Sequence, residues 1–219
     1  MTTLAHGTPW GFAPEPSGQE VPGPDLDEVL WQAWEAMELP EGFHAEIIEG
    51  FIEVSPTGCY AHSQIANKLR RAADKYLADG PYAGHQDTNV IHDRKVWIPD
   101  VIIALEDFEA QDVIEHGVGV KASAVEVAVE VVSPGHNSVT RDRVRKRRAY
   151  ARAGIPVYVL VDDHDLRGIV TVFTSPMPDK GDYAAEHRVP YGTDITIPEG
   201  PAKGFVIGEA ITGPPRAER

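Results

Sequence analysis

The chain has 219 residues, 42% of them hydrophobic and 25% charged, enough apolar material for a sizeable core and an ordinary mixture for a globular protein. A formal net charge of −14 excludes a protein that coats nucleic acid through bulk charge, though not one with a local basic surface. A single cysteine, Cys59, excludes an internal disulfide framework and a cysteine-rich zinc site.

No apolar run approaches the roughly 18 residues of a membrane span. The N-terminus lacks the basic and apolar regions of a signal peptide, so the expected setting is cytoplasmic, with no membrane partner. Residues 1–24 are rich in proline and glycine and read as a flexible lead-in. Residues 25–211 read as the folded domain. Leu26, Val29, Leu30, Trp34 and Met37 recur at helical spacing, predicting a helix over Leu26–Glu38. Asp25 and Glu28 have the spacing of a capping box. Two β-like runs from Phe43 to Val54, divided by Gly50, predict a hairpin. A long helix follows over about Tyr60–Ala78, stopped by Gly80-Pro81.

The middle of the chain reads as strands: a weak one over His85–His92 and a strong one over Val96–Leu105, bent or on an edge at Pro99. Residues 106–121 read as a connecting loop and Ala124–Val132 as a clear strand. A basic helix over about Ser138–Ala153 ends at Gly154 and Pro156. Val157–Asp162 is the next strand, and Ile169–Phe173 is expected to pair with it. Residues 175–182 read as loop, Tyr183–Val189 and Ile195–Ile197 as edge strands, and 212–219 as a loose tail. This order is mixed α/β. The strand–helix–strand unit at 124–162 favours a parallel pair.

Two acids stand out. In Val125–Val132, alternation puts four valines on one face and Glu126, Ala128, Glu130 and Val132 on the other. A glutamate within such a run needs a metal, a lysine partner or a wet cleft, unless that face is simply solvated. Asp100 follows Pro99 and precedes an apolar run; turn chemistry at a strand entrance is the plainer alternative. Two acids on neighbouring strands, backed by a lysine, can hold a hard divalent cation against a phosphate.

The basic helix carries seven Lys or Arg residues between Arg141 and Arg152. Asp142, Lys146 and Tyr150 share one face, and Arg141, Arg145, Arg148 and Arg152 form a neighbouring stripe. Lys146 is expected to point toward the acids and the arginines toward phosphates. The alternative is a solvated basic face, with Asp142 and Lys146 a surface pair worth ~0.2–0.5 kcal/mol. Cys59 has no partner that would mark a nucleophile, and the histidines lack HExxH-type metal spacing.

On these residues the chain resembles the Uma family, grouped with restriction endonucleases in the PD-(D/E)XK nuclease superfamily. The likeness rests on Ala45-Glu46-Ile47-Ile48-Glu49-Gly50, His62 ahead of a long helix, and Pro99-Asp100. It continues through Val129-Glu130-Val131-Val132-Ser133-Pro134, Asp142…Lys146…Tyr150 and Ala153–Asp162, covering about residues 40–200. It implies a restriction-endonuclease-like mixed sheet flanked by helices. It also implies a Mg²⁺-dependent (or Mn²⁺-dependent) site with Asp100 and Glu130 as metal ligands, Glu46 as an auxiliary acid and His62 at the site's edge. One departure matters. The superfamily's lysine two positions after the glutamate is here Val132, and the resemblance assigns that part to Lys146 on the following helix.

The expected activity is therefore DNA phosphodiester hydrolysis by a two-carboxylate plus lysine site, with a homodimer expected because a duplex needs two cuts. The competing expectation is a non-catalytic nucleic-acid-binding module, or an accessory protein whose acidic surface meets a protein partner, retaining the same fold.

Overall fold

The computed structural model describes residues 25–165 and 168–216. The predicted flexible segment 1–24 and the end of the predicted tail, 217–219, lie outside the described residues. Helix α1 (Leu26–Glu35) starts where the Asp25 side chain accepts a hydrogen bond from the Asp27 backbone N–H. Glu28 does not complete the predicted capping box: its carboxylate accepts from Gln32 and pairs with Arg94. Strands β1 (Phe43–Ile48) and β2 (Phe51–Pro56) form the predicted hairpin. Its two turn residues, Glu49 and Gly50, both have positive φ (49° and 81°), as a type I′ turn requires. Helix α2 (Tyr60–Leu77) buries Ala66, Leu69, Ala73 and Leu77.

The two strands predicted between 85 and 105 are instead four: β3 (Tyr82–His85), β4 (Val90–His92), β5 (Lys95–Trp97) and β6 (Val101–Leu105). Pro99 is the cause. It has no N–H to give a ladder and it biases Ile98 to extended backbone, so the chain leaves one sheet after Trp97 and joins another at Val101. Within the predicted loop 106–121 lies a short strand, β7 (Val120–Lys121), and β8 (Val127–Val131) follows.

The basic helix is helical throughout but not uniform. It runs as α3 (His136–Thr140), a π-helical turn (Arg141–Lys146) and α4 (Arg147–Ala153). Gly154, at φ 76°, ends it, and the Ile155 N–H donates back to the Tyr150 carbonyl. Strand β9 (Val157–Asp162) pairs parallel with β8, as the strand–helix–strand order predicts.

Strands β10 (Ile169–Met177) and β11 (Asp182–Pro190) extend into the stretch 175–182, which was expected to be loop. Pro176 is tolerated because the β9 ladder ends at Thr174, so on that side its missing N–H leaves no bond unmade. Strands β12 (Ile195–Thr196) and β13 (Val206–Ile207) pair with each other, and α5 (Glu209–Thr212) follows. The expected loose tail is tied down as far as it is described: Arg216 pairs with Asp163 at 2.6 Å and lies over the Tyr191 ring.

The large sheets are β2-β1-β5-β4-β7 and β11-β10-β9-β8-β6-β3. The central strands of the second, β6, β8 and β9, are buried on both faces. Val127, Val129 and Val131 of β8 pack with Ala66, Leu69, Ala73 and Leu77 of α2. Ala128 on the opposite face packs with Ala149, Tyr150 and Ala151 of α4 and with Ile48 and Trp97 from the first sheet. Helix α1 covers the far side of the first sheet through Leu30, Trp31 and Trp34 against Ile47, Ile91 and Val96. The basic helix is thus packed between the two sheets where the chain crosses at Ile98-Pro99-Asp100.

Candidate functional site

Four elements meet at that crossing. Val101 pairs with Val129 in the antiparallel β6–β8 ladder, so Asp100, one residue before, stands opposite Glu130, one residue after. Directly opposed residues share a face. On β1, Ile47 turns to α1, while Glu46 and Ile48 turn inward to the basic helix and the second sheet. Asp142, Lys146 and Tyr150 are 1%, 2% and 0% exposed, which rules out the solvated-face alternative for this side of the helix.

Lys146 Nζ lies 2.8 Å from Glu46 Oε1 and 3.0 Å from Glu130 Oε1, and 3.3 Å from the Ile98 carbonyl. Tyr150 donates its hydroxyl to Glu130 Oε1 at 2.5 Å. The Ile98 N–H donates to Glu46 Oε1 at 2.7 Å. Both oxygens of Asp100 are engaged: Oδ2 accepts from the Val131 N–H at 2.6 Å, and Oδ1 meets His62 Nε2 at 2.7 Å. Asp142 accepts from Arg141 Nε at 2.9 Å. A cavity of about 280 Å³ opens over this cluster. Asp100, Glu130, Lys146, His62, Ser133 and Arg141 line it, whereas Glu46 and Asp142 stand behind them.

The structure therefore brings Asp100, Glu130, Lys146, Glu46, His62 and Arg141 to one place. The other three arginines lie elsewhere. Arg145 binds Glu49, Glu53 and the Ile48 carbonyl, and Arg148 binds Glu49 at 2.7 Å, so both tie the helix to the hairpin turn. Arg152 is exposed. Tyr150 and Ser133 were not singled out from sequence as site residues. Tyr150 carried a signal, since it shares the Asp142–Lys146 face; Ser133 carried none.

Burial pushes the Glu130 carboxyl well above the ordinary carboxylate range, against the opposing pull of Lys146. Burial would lower Lys146, but Glu130, Glu46 and Asp142 outweigh it, so the net shift is upward and the ammonium stays charged. Burial also raises Asp142, opposed by Lys146 and Arg141. Burial and the nearby Glu130 carboxylate hold the Tyr150 hydroxyl well above the phenol range, fixing it as a donor. Tyr150→Phe should remove one of Glu130's two side-chain donors and cost ~1–3 kcal/mol in urea unfolding.

Four acidic side chains, Asp100, Glu130, Glu46 and Asp142, face two basic ones, Lys146 and Arg141. Glu46 Oε2 and Asp142 Oδ2 are buried without a hydrogen-bond partner among the described residues. The carboxylates lining the cavity are the opposed Asp100 and Glu130 and the exposed Asp87, all hard oxygen donors. No group of three or more His, Cys, Asp or Glu side chains among the described residues is placed to hold a metal ion. This donor set fits Mg²⁺, which takes one or two carboxylates and otherwise keeps water and substrate phosphate.

Residues 31–207 match the family model Uma2, described as "Putative restriction endonuclease". The chain belongs to the Uma2 family. A comparison with curated proteins gave no match. Among solved structures, the Uma2 chain is similar to a crystal structure described as a putative nuclease belonging to DUF820 from Anabaena variabilis. The two share 16% identity over 86% of this chain and 96% of that one, with a TM-score of 0.59. At that identity the likeness establishes the fold, which is restriction-endonuclease-like mixed α/β. No helix among the described residues is long and apolar enough to cross a membrane.

Proposed function

We propose that this Uma2 chain is a Mg²⁺-dependent endonuclease that hydrolyses DNA phosphodiester bonds, with Mn²⁺ able to substitute. The observation that carries this reading is the convergence of Asp100, Glu130 and Lys146 on one cavity, in a cluster where acidic side chains outnumber basic ones. Asp100 and Glu130 would hold the ion. When bound, it supplies charge neutralisation at the phosphate and a more acidic water.

The chain's own groups do the rest. Lys146 keeps the Glu130 carboxylate in place, and its ammonium opposes negative charge that grows on the phosphate. Glu46 and the Ile98 carbonyl hold Lys146 from behind. Arg141, lining the cavity, is the arginine of the stripe best placed to meet a phosphate. Arg145 and Arg148 would have to give up their hairpin acids to do so. Cutting both strands of a duplex in one encounter would take two such sites, which a homodimer would supply.

Incubation with supercoiled plasmid tests the reading. Nicking or linearisation in millimolar Mg²⁺, absent with EDTA, is the expected result. Retention of DNA that weakens steeply with salt, with no cutting in either metal, would instead support the non-catalytic binding reading.

A further inference from the structure

The role of His62 was open in the sequence, and the mechanism above does not use it. Its ring is held on three sides. Nε2 lies 2.7 Å from Asp100 Oδ1, and Nδ1 lies 3.1 Å from Ser133 Oγ. The third side is Gly58: a Cβ added there would stand 2.4 Å from His62 Cδ2 and 2.8 Å from Nε2. Gly58 has no positive φ, so this glycine is not required by backbone conformation. It is required by the imidazole that lies against it.

Ser133 completes the chain from the other strand end. It lies three residues after Glu130, just past β8, so the strand that carries one acid also anchors the ring that holds the other. A hydroxyl can donate to or accept from Nδ1, so Ser133 complements either ring form while Nε2–H donates to Asp100. With the Val131 N–H on Oδ2 and His62 on Oδ1, each Asp100 oxygen has one lone pair committed and one left for a further partner. The carboxylate plane cannot rotate without breaking one of these two bonds.

We infer that Gly58, His62 and Ser133 form a positioning device that orients Asp100 as a cation ligand. His62 is a positioning residue, not a ligand: its Nε2 is committed to Asp100. Groups that bond to ligating carboxylates typically set about 10–100-fold in metal affinity. The inference rests on the reading of Asp100 as a metal ligand.

The test is calorimetric Mn²⁺ and Mg²⁺ titration of wild type, His62→Ala, His62→Gln, Ser133→Ala and Gly58→Ala, with thermal melts on the same samples. His62→Ala and Gly58→Ala should bind about 10–100-fold more weakly. Gly58→Ala changes no polar group, so its loss would come from displacing the ring. Ser133→Ala should fall between these and wild type. His62→Gln, whose amide can reach Asp100, should recover part of the affinity. Cleavage by His62→Ala should recover as metal concentration rises, which a general structural defect would not show. Wild-type affinity in folded His62→Ala and Gly58→Ala would overturn the inference while leaving the metal site intact. Failure of wild type to bind either ion would overturn the metal reading and the inference with it.

Discussion

Glu130→Ala is expected to abolish Mg²⁺-dependent DNA cleavage while leaving a folded protein. The fold should survive because Lys146 keeps its second partner, Glu46, at 2.8 Å and so is not stranded as a lone buried charge. The Tyr150 hydroxyl loses its acceptor, which costs about 1–3 kcal/mol. Cleavage should disappear because Glu130 is one of the two directly opposed carboxylates that would hold the ion, and a Mg²⁺ site with one or two protein carboxylates has none to spare. Cleavage assays beside urea unfolding check both halves. A folded variant that cuts like wild type would remove Glu130 from the site.

Lys146→Met should have the largest effect on stability. Removing one partner of a buried ion pair leaves an uncompensated charge, at a cost of about 3–5 kcal/mol. Here the residue is 2% exposed and holds two buried carboxylates apart, so methionine would leave Glu46 and Glu130 with no cation between them. The loss should depend on pH. Burial already raises Glu130 above the ordinary glutamate value of 4.5, and removing Lys146 takes away the pull that opposes it. An acid that titrates higher in the folded than in the unfolded chain binds more protons when folded, so it favours folding at low pH. Wild-type Glu130 is itself raised, so the two proteins should differ least in the ordinary glutamate range and up to wild-type Glu130's own titration, and the difference should grow as pH rises above that. Urea midpoints measured across that range give the answer. A difference under ~1 kcal/mol at neutral pH would show that Lys146 does not hold the centre together.

Much of this centre was legible in the sequence because its signals are local. Asp142, Lys146 and Tyr150 at i, i+4 and i+8 name one helix face without any tertiary knowledge. Glu130 within a valine run announces a buried acid. The Glu49-Gly50 turn and the parallel β8–β9 pair follow from turn chemistry and element order.

What was not legible depends on which sheet a strand joins. Val96–Leu105 reads as one strand because periodicity does not record that Lys95–Trp97 and Val101–Leu105 pair with different neighbours. That crossing is what sets Asp100 opposite Glu130. The stretch 175–182 reads as loop from its prolines and glycine, because sequence does not show that Pro176 lies past the end of the β9 ladder. The π-helical turn at Arg141–Lys146 left no mark either. Arg145 and Arg148 looked like phosphate ligands because their acidic partners, Glu49 and Glu53, lie some 90 residues away and meet them only through the fold.

The most direct measurement is Mg²⁺ titration and plasmid cleavage on the same preparations of wild type and Asp100→Asn, each shown to be folded. A centre built on Asp100 and Glu130 predicts that wild type binds the ion and cuts, and that Asp100→Asn does neither. Undiminished cleavage by folded Asp100→Asn, or by wild type stripped of divalent ions, would contradict it.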